Sequence, residues 1–211
     1  MREYSEEELI RLRIAVGETL SKERFAHTRS VEKEAARIAL LLCPEEVSVL
    51  RAAALLHDIT KELSPLMQEK LCRVAGVSLP PDAMDYSATL HEKSAPARIL
   101  LEFSPFALPE ILQAVRRHTT GNEQMTLRDK ILFVADFIEE TRQYEACQRI
   151  RAAFWAKMEQ SPSVAVLNGA ALAILQGTLA HLATTGRRVE NQTQKTYEAF
   201  LKEPDTVDLF D

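Results

Sequence analysis

Glycine is scarce in this chain, at 6 of 211 residues, and proline numbers only 9. That leaves too little turn chemistry for a fold of many short strands. A disulfide framework is excluded as well, because Cys43, Cys72 and Cys147 are odd in number, widely spaced and form no Cys-x-x-Cys pair. Such a scattered set reads as the reduced thiols of a cytoplasmic protein. Positive charge is in the minority: 26 Lys and Arg face 31 Asp and Glu, for a formal net charge of −5. A non-specific grip on a nucleic acid polymer or an anionic membrane is therefore not expected. A small nucleotide remains open, since it needs only a local cluster of metal and cations. The acidic start, Met1-Arg2-Glu3-Tyr4-Ser5-Glu6-Glu7-Glu8, lacks the apolar stretch of a signal peptide. The most apolar segment, roughly Val164 to Ala183, is broken by Asn168, Gly169, Gln176, Gly177, Thr178 and His181. It suits a buried core helix better than a membrane span.

What is abundant is Ala, Leu, Glu and Arg, all strong helix formers. Ser5 with Glu8 has capping-box spacing, and Leu9, Leu12, Val16 and Leu20 follow at helical intervals. The pattern predicts further helices over about Arg24–Leu42, Pro44–Ile59, Ser64–Ala75, His91–Glu102 and Pro109–Arg117. A helix-to-loop corner at His118-Thr119-Thr120-Gly121 precedes helices over about Thr126–Arg142, Tyr144–Glu159, Val164–Ala183 and Gln192–Leu201. The expected fold class is all-α, a single helical bundle over residues 1–211. Its core would span about 24–142, with helices 144–201 packing on it.

Chemistry is concentrated in few places. Ala53-Ala54-Leu55-Leu56-His57-Asp58-Ile59-Thr60-Lys61 ends an apolar helix in His-Asp, two residues that are costly to bury unless paired or bound to metal. Taken alone the pair reads equally as a hydrogen-bonded core pair. His27 upstream and Asp136, inside Ile131-Leu132-Phe133-Val134-Ala135-Asp136-Phe137, strengthen the metal reading. The alternative for Asp136 is a partner for a buried arginine such as Arg142. Imidazole with carboxylate suits Fe, Mn, Zn or Co and leaves Mg open. His91 and His118 fall at expected helix boundaries, where side chains can turn into a cleft. Lys61 is four residues past His57, on the same face if the helix continues. His181 and Trp155 are read as a surface or core histidine and as packing, and Glu139-Glu140 as a solvated helix end, with Glu139 able to orient Arg142 three residues on.

His27, His57-Asp58 and Asp136 together resemble the HD-domain metal phosphohydrolases. More narrowly, His57-Asp58-Ile59-Thr60-Lys61, His91, His118-Thr119-Thr120-Gly121, Met125-Thr126-Leu127 and Lys130–Glu139 resemble the YqeK family of symmetrical diadenosine tetraphosphate hydrolases. The similarity runs from about Arg24 to Leu201. It implies a metal, iron before Mn, Co, Zn or Mg, held by His27, His57, Asp58 and Asp136. His91 and His118 would lie toward the phosphates or a second metal, with a single tightly held ion preferred. Arg24, Lys61, Thr119 and Arg142 match positions that contact the nucleotide, and Val189–Gln194, with Asn191 and Thr193, would close over the adenosine. Two departures stand out: Glu92 follows the third histidine, where the family commonly has Gly, and Val189-Glu190-Asn191-Gln192-Thr193 replaces Ile-His-Pro-Asp-Thr.

The implied reaction is cleavage of diadenosine tetraphosphate to two ADP. Asp58 or His118 would position the attacking water, with His91 a further catalytic candidate. The expected ligand is a dinucleoside polyphosphate or an ADP-like nucleotide, with no membrane and no nucleic acid polymer; a homodimer is left open. The rivals are an HD phosphohydrolase acting on other nucleotides, a non-catalytic nucleotide-binding sensor, and a structural helical adaptor.

Overall fold

The computed structural model describes residues 2–186 and 189–211, and ten α-helices and no strand are found among the described residues. Helix α1 (Glu6–Gly17) begins at Ser5, whose hydroxyl accepts the Glu8 N–H at 3.2 Å while the Glu8 carboxylate accepts the Ser5 N–H at 2.9 Å. Helix α2 (Lys22–Leu42) is capped by Ser21, and a 3₁₀ turn at Pro44–Glu46 leads into α3 (Val47–Leu56). The helix expected to reach Ile59 stops at Leu56. Beyond it the chain tightens into i→i−3 bonds, Ile59 N–H to Leu56 O and Lys61 N–H to Asp58 O. Lys61 therefore reaches the site from a tight turn, not along an α-helical face.

Helix α4 (Pro65–Val74) starts at the Ser64 cap and is followed by Gly76 at φ +68°, the left-handed conformation glycine adopts most cheaply. Helix α5 (Ser87–Glu102) begins earlier than the pattern suggested, so His91 lies in its second turn and not at a boundary. Helix α6 (Pro109–Arg117) agrees with expectation and places His118 at its C-terminal end. Helix α7 (Leu127–Ile138), opened by a Thr126–Asp129 capping box, ends at Ile138, short of Arg142. Arg151 satisfies the carbonyl groups freed at this stop, donating to those of Ile138, Glu139 and Arg142. Helices α8 (Glu145–Gln160), α9 (Val164–Thr185) and α10 (Asn191–Phe200) complete the chain.

Helices α3 and α7 form the centre. Leu50, Leu55, Leu56, Ile131, Leu132 and Ile138 are fully buried, each contributing roughly 1.5–3 kcal/mol relative to exposure. Helix α3 packs against α1, α2, α6 and α7; α7 packs against α2, α3, α6, α8 and α9. This arrangement brings the second turn of α2, the last turn of α7 and the C-terminal ends of α3 and α6 to one place. Helix α9 is long and apolar enough to cross a membrane by length and composition, yet it packs on α7, α8 and α10. The C-terminal tail straps it: Asn168 Nδ2 donates to Asp205 O at 2.6 Å, and a Cβ on Gly169 would meet Val207 O at 2.3 Å. His181 is exposed and Trp155 is core, its indole N–H donating to Glu34 at 2.6 Å.

Candidate metal centre

Five elements converge on one cluster. Helix α2 supplies His27, the end of α3 supplies His57 and Asp58, α5 supplies His91, the end of α6 supplies His118, and α7 supplies Asp136. Asp58 lies at the middle. Its Oδ2 is 3.5 Å from His57 Nε2 and 3.7 Å from His27 Nε2; its Oδ1 is 3.1 Å from His91 Nε2 and 3.6 Å from His118 Nε2. Asp136 Oδ1 is 3.0 Å from His27 Nε2 and 3.6 Å from His57 Nε2. Thus one carboxylate offers one oxygen to each of two imidazole pairs.

All four imidazoles present Nε2, and the reason is what holds Nδ1. His27 Nδ1 faces the Glu139 carboxylate at 3.1 Å, and His57 Nδ1 faces Ala54 O at 2.7 Å. His91 Nδ1 faces the Thr60 hydroxyl at 2.9 Å, and His118 Nδ1 faces Val115 O at 2.7 Å. Carbonyl and carboxylate partners at Nδ1 fix the tautomer that leaves Nε2 unprotonated, the state a metal ligand needs. Asp58 Oδ1 and His91 Nε2 are buried with no hydrogen-bond partner, because their approach, though short, is not aligned as a hydrogen bond. Buried orphans in a nest of N and O donors fit a bound cation. Two sets meet that description, His27–His57–Asp58 and Asp58–His91–His118, each with ligand atoms within 4.8 Å of one another.

The electrostatics of the cluster set burial against close partners. Burial would raise Asp58, but His57, His118, His91 and Lys61 hold it well below the usual carboxylate range. Burial would likewise raise Asp136, and Arg142, His27 and His57 outweigh it. For His27 burial works downward, yet its hydrogen bonds to the Asp136 and Glu139 carboxylates carry it up to about 9. Burial pushes His91 down to about 4 and lowers His57 as well.

Around the cluster opens a cleft of about 1160 Å³. Arg24, Lys61, His118, Thr119 and Arg142 line it beside His27, Asp58 and Asp136, while Phe133, Phe137 and Ile174 form an apolar side. Arg24 Nη1 reaches Asp58 Oδ2 at 2.6 Å, Arg142 Nη2 reaches Asp136 Oδ1 at 2.7 Å, and Lys61 Nζ stands 3.8 Å from Asp58 Oδ1. The Arg142–Asp136 pair is the alternative the sequence left open, and it coexists with the position of Asp136 beside the histidines.

Other expectations need revision. His91 is 1% exposed and does not line the cleft; its Nε2 faces Asp58 Oδ1 at 3.1 Å, which suits the second-metal alternative better than a phosphate in the open groove. Asn191 and Thr193 do not line it either; α10 packs on α9 and behind the 118–121 turn, and Thr193 is buried. Two residues have parts that the sequence did not assign them. Glu139 is fully buried, not solvated, and depressed to about 2 because the donors His27, Ser30 and Thr141 together outweigh its burial. Its sequence signal was only that an acid followed the apolar run ending at Ile138. Glu92, buried and pushed up to about 7 by that burial, accepts from Thr120.

Comparison with known proteins agrees with this geometry. The HD domain family model matches residues 24–140. A protein of Halalkalibacterium halodurans named symmetrical bis(5'-nucleosyl)-tetraphosphatase is 30% identical, over 87% of this chain and 92% of its own length. A Bacillus subtilis protein of the same name is 26% identical over 86% and 91%. A crystal structure from Clostridium acetobutylicum, described as a predicted HD superfamily hydrolase involved in NAD metabolism, superposes with a TM-score of 0.79. It shares 23% identity and covers 95% of this chain and 99% of that one, which speaks to the fold.

Proposed function

This chain belongs to the HD domain family, and from that premise we propose that it is a cytoplasmic, metal-dependent hydrolase that splits diadenosine tetraphosphate into two ADP. The observation that carries the reading is the convergence of four imidazole Nε2 atoms on Asp58 and Asp136 at the floor of a cleft lined by Arg24, Lys61 and Arg142. His27, His57, Asp58 and Asp136 would hold the principal ion, iron being the preferred metal. Such an ion supplies Lewis-acid polarisation of a phosphoryl oxygen and acidifies water.

The chain's own groups do the rest. Arg24, Lys61 and Arg142 meet the phosphates and offset charge that builds on the phosphoryl oxygens. Each now leans on an aspartate, and phosphate would share these cations. Thr119, whose hydroxyl lies 3.0 Å from His118 Nε2, lines the cleft and would donate to a phosphoryl oxygen once that nitrogen is engaged by an ion. Asp58 or His118 orients the attacking water. Phe133, Phe137 and Ile174 offer the nucleoside an apolar wall, in the role expected of Asn191 and Thr193. A cleft with one apolar wall and one cationic floor accommodates one ADP unit, which sets the cut at the middle of the polyphosphate.

His91 and His118 favour a second reading of the metal count, in which Asp58, His91 and His118 would hold a further ion beside the one at His27, His57 and Asp58. Metal analysis separates the two: about one equivalent per chain supports the single ion, two equivalents the pair. The activity itself is tested on metal-stripped and metal-loaded protein with dinucleoside polyphosphates and nucleoside mono-, di- and triphosphates. Turnover confined to dinucleotides and dependent on metal is expected; turnover of mononucleotides alone would refute the substrate.

A further inference from the structure

The turn that carries His118 and Thr119 into the cleft is held from behind by groups with no part in the mechanism above. Glu92 Oε1 accepts the Thr120 backbone N–H at 2.7 Å, and its two oxygens lie 2.8 and 3.0 Å from the Thr120 hydroxyl. On the far side of the same residue, the Thr196 hydroxyl of α10 lies between Thr120 O at 3.1 Å and Gln192 O at 2.8 Å. Helix α10 comes so close that a Cβ on Gly121, at φ +72°, would meet Thr196 Cγ2 at 2.5 Å. Glu190 completes the frame by tying α10 to α5 through the Thr89 hydroxyl at 2.6 Å.

Glu92 has no cation within ion-pair distance among the described residues, although it is buried. A carboxylate in that position is costly unless its oxygens are spent on donors. Here they are spent on one residue of one turn. Glu92 also follows His91 directly on α5, so a single helical segment addresses both imidazoles that face Asp58 Oδ1: His91 by its own side chain, His118 through the Thr120 peptide.

We propose that Glu92 is a positioning residue, clamping the Thr120 peptide against Thr196 so that His118 and Thr119 are aimed at Asp58 and the cleft. The clamp rests on the functional reading above for its catalytic consequence, while its effect on metal binding does not require any turnover.

The test compares Glu92→Ala and Glu92→Gln by manganese titration without nucleotide, by thermal melting, and by steady-state kinetics. Outer-shell partners of metal ligands are typically worth about 10- to 100-fold in affinity or activity. Glu92→Ala should weaken manganese binding about tenfold and lower kcat to a similar degree. Glu92→Gln, whose amide oxygen still accepts the Thr120 N–H, should stay within about threefold of the parent. A residue that merely supports the fold would lower the melting temperature of Glu92→Ala and leave manganese affinity and kcat unchanged, and that result overturns the proposal. Equal loss in both variants also overturns it, because charge and not the clamp would then be at work. If Glu92→Ala does not fold, Thr196→Val and Thr120→Val weaken the clamp from its other members, and unchanged manganese affinity in both counts against it. An unmodified protein inert toward dinucleotides would sink the functional reading, while the manganese arms still decide the clamp.

Discussion

Glu139→Ala is the perturbation whose size can be worked most directly from the structure. Glu139 accepts from Thr141 N–H at 2.6 Å and from the Thr141 hydroxyl at 2.7 Å, and it holds His27 Nδ1 at 3.1 Å. Thr141 is exposed, so its two donors turn to water once the carboxylate is gone. His27 and Ser30 are buried and have no such recourse, and of the two only His27 faces the cluster. The loss therefore falls on the imidazole, where a hydrogen bond to a charged group is worth about 1.5–3 kcal/mol. At about 1.4 kcal/mol per decade this is roughly 10- to 100-fold in metal affinity, the range usual for outer-shell partners. Glu139→Gln keeps an acceptor for Nδ1 and should lose less than tenfold. Competition with a chelating indicator for manganese measures the affinities, and circular dichroism confirms that both variants remain helical. Parental affinity in Glu139→Ala would show that His27 is not held for metal by Glu139, and the argument about the Nδ1 partners would fail with it.

Four further outcomes follow from the same contacts. Lys61→Ala and Arg142→Ala should each weaken nucleotide affinity or turnover about tenfold or more, with the fold retained, since a charge-assisted phosphate contact is worth about 1.5–3 kcal/mol; parental kinetics in both would refute their assignment. Gly121→Ala meets both a positive φ and Thr196, so chemical denaturation should show a loss of about 1–3 kcal/mol, relieved in part by Thr196→Ser; no loss would mean α10 does not press on the turn. Leu55→Ala, in the fully buried stretch of α3, should cost roughly 2–5 kcal/mol in the same assay, and a cost below about 1 would contradict its place in the core. Chelation should lower the melting temperature of metal-loaded protein, because an ion at about 100 times its Kd adds about 2.7 kcal/mol; an unchanged melting curve would argue against a bound ion.

Much of the architecture was legible because it is written locally. Ser5 with Glu8 announced α1, Thr126 announced α7, and Pro109 marked the first residue of α6. His57, Asp58 and Asp136 were visible as polar residues at apolar helices, His27 through its match to the family pattern, and His91 and His118 through their place at expected helix boundaries. What stayed hidden depends on partners far along the chain. Glu139 looks like a solvated helix end, yet α7 stops there with its freed carbonyls met by Arg151, and the acid folds back onto His27, 112 residues away. His91 seemed to begin a helix because Ser87, Ala88, Thr89 and Leu90 carry no strong signal to start one earlier. Asn191 and Thr193 were placed over the nucleoside by resemblance, in the segment whose residues here depart most from the family pattern. In the structure α10 serves the back of the 118–121 turn.

The central claim is hydrolysis at the middle of the polyphosphate, and it is tested most directly by an early time point in ¹⁸O-labelled water, resolved by chromatography and mass spectrometry. The account predicts ADP as the sole nucleotide product from diadenosine tetraphosphate, with one labelled oxygen in one of every two ADP molecules, since one water is added per bond broken. ATP and AMP in equal amounts would contradict it.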